Sequence, residues 1–234
     1  MGVKKQLRLG AVAVALGLAQ LPAHAAVVFA TGSNTNNIPA LTGFATTGAD
    51  MDGLSITATF LGGFSQTLSW ADTGPSSGGV TGTNWSLSLS GDSFGGLWNF
   101  TNGRDAQLSS LLLDGLTAFT VFDRTEPNQG TPGSAQGMDF ACAGSAASLA
   151  VCSQSAVNVT YDYMVSVGAN LAVGDLWQTV SIDFGDTGPR IDWSFVQDTD
   201  NDLRQTQLPE PSSLLLLGLA LGGLGFFARR RKYV

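Results

Sequence analysis

Val157-Asn-Val-Thr-Tyr-Asp-Tyr-Met-Val-Ser-Val167 keeps apolar side chains at alternate positions for eleven residues. A repeat of two puts those side chains on one face of an extended strand and the intervening polar ones, Met164 apart, on the other. The same alternation runs through Leu54-Ser-Ile-Thr-Ala-Thr-Phe60, Trp85-Ser-Leu-Ser-Leu-Ser90, residues 177–184 and residues 191–196. Shorter strands are expected over 64–70, 96–100, 111–113 and 118–122. Between them lie turn-forming clusters: Asp72-Thr-Gly-Pro-Ser-Ser-Gly-Gly79, Thr101-Asn-Gly-Arg104 and Asp186-Thr-Gly-Pro189. Residues 126–138, rich in Gly and Pro, read as a long loop, and 34–52 as a loose approach to the first strand. No stretch shows sustained helical periodicity. The expected fold is all-β: an antiparallel β-sandwich of jelly-roll or immunoglobulin-like type, with about eight to ten strands.

Outward from this body, both ends read as sorting segments. At the front, Lys4, Lys5 and Arg8 precede an apolar run over 9–21, then Pro22 and the small-x-small triplet Ala23-His24-Ala25. That order predicts a signal helix over residues 1–25, removed by signal peptidase after Ala25. A permanent membrane helix needs about 20 apolar residues, more than this run supplies. The body is then 26–208, and the tail 209–234.

His24 is the chain's one histidine and falls in the expected signal; the lysines are Lys4, Lys5 and Lys232. The body therefore offers no imidazole or amine, which excludes Ser-His-Asp and Cys-His catalysis, imidazole-bound zinc, and Schiff-base chemistry. Its seventeen Asp and Glu residues face four arginines, a net charge near −13. Such a surface repels nucleic acid and keeps an exported domain soluble. Cys142 and Cys152, with small residues between them, read as one local disulfide in an oxidising compartment.

Asp198-Thr-Asp-Asn-Asp202 is the cluster with metal-ligand spacing. Oxygens at Asp198, Asp200 and Asp202 match the first half of a calcium loop, although Leu203 stands where such a loop has glycine and Pro209 where it has glutamate. An acidic run beside a linker is ordinarily solvated. The pairs Asp50/Asp52 and Asp183/Asp186 read the same way, and no two carboxylates stand out as a glycosidase pair. The five tryptophans could stack on sugar rings, but their alternating neighbours predict an inward face.

The tail opens on Pro209-Glu210-Pro211, continues through an apolar span over 212–228, and ends on Arg229-Arg230-Arg231-Lys232. The leucine/glycine core of that span makes some 23 Å of helix at 1.5 Å per residue, short of the roughly 30 Å hydrocarbon layer. The arginines would hold the extreme C-terminus in the cytoplasm. In composition and order the segment resembles a PEP-CTERM sorting signal of exported proteins in Gram-negative, exopolysaccharide-producing bacteria. The resemblance implies recognition by an exosortase, transient residence in the inner membrane through 212–228, and processing near Pro209, Glu210 and Pro211, with Arg229, Arg230 and Arg231 as the basic stop. A retained tail anchor is the other reading.

The expected protein is non-enzymatic: an exported cell-surface or extracellular-matrix component with a structural or adhesive role linked to exopolysaccharide or biofilm. No catalytic residue and no cofactor other than calcium is expected. Two rivals stand beside it, a calcium-dependent carbohydrate-binding module and a carbohydrate-active enzyme.

Overall fold

A computed structural model describes residues 26–43, 45–104, 106–125, 134 and 137–202, and all structural statements concern these. The expected signal segment, with Ala23 and Ala25, lies outside them; so does the tail from Pro209 to Arg231. In chain order the strands are β1 (Val27–Thr31), β2 (Thr35–Ile38), β3 (Leu41–Gly43), β4 (Ser55–Phe60), β5 (Ser65–Ser69) and β6 (Ala71–Gly74). Next come β7 (Ser77–Gly82), β8 (Trp85–Ser90), β9 (Trp98–Asn102), β10 (Leu108–Asp114), β11 (Thr120–Asp123) and β12 (Ala141–Cys142). After the helix α1 (Ala146–Gln154) follow β13 (Val157–Val167), β14 (Leu176–Asp183), β15 (Trp193–Val196) and β16 (Asp198–Asp202).

These strands form the two sheets of a β-sandwich. The smaller has the order β12-β15-β9-β8-β7-β6. The larger runs β3-β16-β11-β14-β10-β4-β5, with β13 along the other side of β14 and β1 and β2 along the far edge of β13. Alternation drives the packing: Ile56, Ala58 and Phe60 of β4 point inward, as do Trp85, Leu87 and Leu89 of β8. Both sheets contribute to one core, dense in aromatic rings. Trp98 stacks on Phe195 at 5.7 Å and lies 5.3 Å from Trp70, and Trp193 stacks on Phe195 at 5.0 Å. All five tryptophans are buried, so none supplies an exposed platform for sugars.

Three local expectations are corrected. First, β1 and β2 pair with β13 in parallel, Val27 beside Val157 and Thr35 beside Met164, so the sandwich is not wholly antiparallel. Parallel neighbours need a long crossover, and here nearly the whole domain supplies it. Second, the expected turn over 72–79 is mostly strand, β6 and β7. Its glycines serve close approach: a Cβ on Gly78 would strike the Trp70 indole nitrogen, and one on Gly79 would lie 2.6 Å from the Leu87 carbonyl. Third, the cysteine region contains the helix α1. Ser145 caps it, accepting a hydrogen bond from the Ser148 amide at 3.1 Å.

Cys142 and Cys152 form a disulfide that ties α1 to β12, with their Cα atoms 5.8 Å apart. Replacing both with serine should lower the unfolding free energy by about 3 kcal/mol, the chain-entropy value for so short a loop. Urea unfolding measures this; an unchanged midpoint would show that packing alone holds α1.

Candidate metal centre

The acidic run 198–202 is a strand, not a solvated loop. All five residues of β16 are buried, although in Asp-Thr-Asp-Asn-Asp only Thr199 favours a strand by propensity. Pairing imposes the conformation: β16 lies between β11 and β3, with Asp123 opposite Asp198, Val121 opposite Asp200, and Asn201 opposite Gly43. Thr199 turns toward the sandwich core, where its hydroxyl meets Ser93 Oγ at 3.0 Å and Met51 Sδ at 3.6 Å. Asp198 and Asp200 take the opposite face. There Val121 belongs to a second apolar cluster with Ile38, Val165, Val167 and Leu176.

Register thus gathers Asp123, Asp198 and Asp200, whose ligand oxygens all lie within 4.8 Å of one another. Asp202, expected among the ligands, is buried at the end of β16 and is not one of the three. Asp123 was not singled out from the sequence, because it closes the apolar stretch Thr120-Val-Phe-Asp123 and only its pairing partner reveals its neighbours.

Burial dominates the electrostatics. It pushes the Asp200 carboxyl up to about 8, helped by the like charges of Asp123, Asp198 and Asp175 and opposed by a hydrogen bond from the Ser134 hydroxyl. Asp123 rises to about 7, through burial and then Asp198 and Asp175, against the lowering effect of hydrogen bonds from the Ser134 hydroxyl and the Arg124 amide. Asp198 rises to about 6 by burial, moderated by donors from Ser93 and the Thr199 amide. Asp200 Oδ2 is buried with no hydrogen-bond partner.

No described arginine compensates the cluster. Arg124, adjacent to Asp123 in sequence, instead pairs with Asp139 at 2.9 Å and lies over the Tyr161 ring at 4.5 Å. Arg104 lies over Phe64, and Arg190 is exposed beside Gln107. Gln197 holds the surroundings in place: its amide nitrogen donates to the carbonyls of Asp123, Met138 and Asp198, and its Oε1 accepts from the Tyr161 hydroxyl at 2.5 Å.

The other acidic pairs do local work. Asp50 accepts from the Thr47 amide at 2.8 Å across a 3-10 turn, and Asp183 from the Gly185 amide at 2.8 Å; Asp52 and Asp186 are exposed. Arrangements of this kind shape turns and hold no cluster. No helix among the described residues is long and apolar enough to cross a membrane; the apolar span 212–228 lies outside them.

The PEP-CTERM protein-sorting motif family matches residues 207–232, where Pro209-Glu210-Pro211, the apolar span and the arginines stand. The chain therefore carries an exosortase sorting tail and is an exported protein of the cell surface or extracellular space. No curated protein and no solved structure matches the chain.

Proposed function

We propose that this chain, sorted by its PEP-CTERM tail, is a non-enzymatic structural or adhesive component of the bacterial surface matrix, associated with exopolysaccharide. The observation that carries the reading is the tail match over 207–232, joined to a body from which histidine and lysine are absent. The buried tryptophans and the turn-capping aspartates support a passive body over a glycan-processing one. In transit, the span 212–228 would reside briefly in the inner membrane until exosortase acts near Pro209-Glu210-Pro211.

Replacing Pro209, Glu210 and Pro211 together with alanine in the exporting host should leave a heavier product that fractionates with membranes, while the wild type is found in the matrix fraction. Equal sizes and equal fractionation would remove the sorting role of the triplet. Hydrolysis of the host's own exopolysaccharide by the purified wild type, lost on a single Asp substitution, would overturn the non-enzymatic reading.

A further inference from the structure

We propose that Asp123, Asp198 and Asp200 bind one calcium ion inside the domain, and that the exported fold is completed around it. Two oxygens on a common calcium ion, each at about 2.4 Å, can be at most about 4.8 Å apart. The three carboxylates meet that limit pairwise, although they come from two strands that only register brings together.

The second observation is independent of clustering. Asp200 is 2% exposed, and its Oδ2 has no hydrogen-bond partner. A buried carboxylate oxygen without a donor is among the most costly groups a fold can carry, and native proteins rarely keep one unless something binds it. No described arginine is directed at the cluster, and lysine is absent from the body. Among the described residues no cationic side chain serves the cluster, and a cation from solution would supply the positive charge.

The donor set selects its chemistry. The ligands are carboxylate oxygens, with the Ser134 hydroxyl bonded to Asp123 alongside them, and both cysteines are tied up in their disulfide. Oxygen donors of this kind suit a hard cation and not zinc or copper. Magnesium demands a near-ideal octahedron and sheds its waters reluctantly, whereas calcium accepts irregular carboxylate cages in buried places. Three aspartates, each able to bind through both oxygens, can supply up to six contacts.

The site is separate from the sorting tail, so its failure and a failure of sorting are read independently. The exported protein, purified as the host releases it, is stripped with EDTA, dialysed, and titrated with CaCl2 at pH 7.5 by calorimetry and thermal unfolding. The expected result is one calcium per chain and a rise of roughly 5–10 °C in Tm at a hundredfold excess over Kd. MgCl2 at the same concentration should give a clearly smaller rise. Asp200→Asn and Asp123→Asn should each lose the calcium response, yet melt no lower than the metal-free wild type, because each removes a carboxyl that is costly to ionise beside two others in a buried place. A merely structural aspartate would lower Tm when replaced. Asp186→Asn, on an exposed turn, should keep the full response.

A wild-type Tm unmoved by CaCl2, with no binding heat, would overturn the site. A response surviving in both cluster variants would overturn its location, and an equal response to MgCl2 would overturn the choice of ion. The wild-type comparison decides the existence of the site even if neither variant folds.

Discussion

Stripped of divalent ions, the protein should become less stable as pH rises from about 4 to 8. Asp123, Asp198 and Asp200 titrate near 7, 6 and 8 in the folded chain, against an ordinary value of 3.8. Between those limits the folded state holds protons that the unfolded state has released, so unfolding becomes easier with each step in pH. The stability these groups contribute is fully present below about 4 and lost as pH passes through 6, 7 and 8 in turn. Each proton so retained is worth about 1.4 kcal/mol per pH unit. The groups facing the cluster are Asp175, just ahead of β14, and Asp92, beside Asp198; both are acidic and work in the same direction. Arg124 is held by Asp139 and does little to oppose them. Urea midpoints in EDTA at pH 5 and pH 8 measure the effect. A midpoint that is flat or that rises with pH would mean that the carboxylates ionise without penalty.

The second large effect is expected at Trp98. Trp98→Ala should cost about 3–5 kcal/mol, the range for emptying a fully buried indole site. Trp98 has no exposed surface, touches the rings of Trp70 and Phe195, and donates its indole N–H to the Gln197 carbonyl at 2.9 Å. The loss therefore reaches the residue that ties together the backbone around Asp123 and Asp198. Trp98→Phe keeps most of the ring but removes a buried hydrogen bond, worth about 0.5–1.5 kcal/mol. Trp193 offers a contrast: it is equally buried, but its indole N–H has no partner. Trp193→Phe should consequently be the milder of the two aromatic swaps. Denaturant unfolding of the three variants decides the order; a cost below about 1 kcal/mol for Trp98→Ala would mean that the core collapses around the vacancy.

Alternation made the sandwich legible because one-sided burial is written into single residues. β13 has the bounds that its eleven-residue pattern gives, and β4 and β8 differ from theirs by a residue or none. What alternation cannot carry is the identity of a strand's neighbour. The parallel seats of β1 and β2, and the meeting of Asp123 with Asp198, depend on residues more than seventy positions apart. The polar strand β16 was obscure for a related reason: its conformation is set by two flanking strands and not by its own side chains. The glycines of β7 misread as turn formers because their local signal, freedom of backbone, also serves tight packing against Trp70. Two of the cluster's three members, Asp198 and Asp200, are visible in the sequence spacing, and the third, Asp123, comes from across the sheet.

The position of β16 sets an order of events. It is the final described strand, yet it is laid between β3 and β11, which precede it by more than seventy residues in the chain. A chain crossing the membrane N-terminus first would deliver every other strand before it. Until it arrives, β11 would keep an unpaired edge that invites pairing with another chain, and β3, which pairs in the sheet with β16, would lack its strand partner. Closure of such a long loop is slow. That edge of β11 would be covered only when β16, the last described strand ahead of the sorting motif, has emerged. In a domain folding as it emerges, the last described strand to be laid into the sheet would thus be the one nearest the sorting motif.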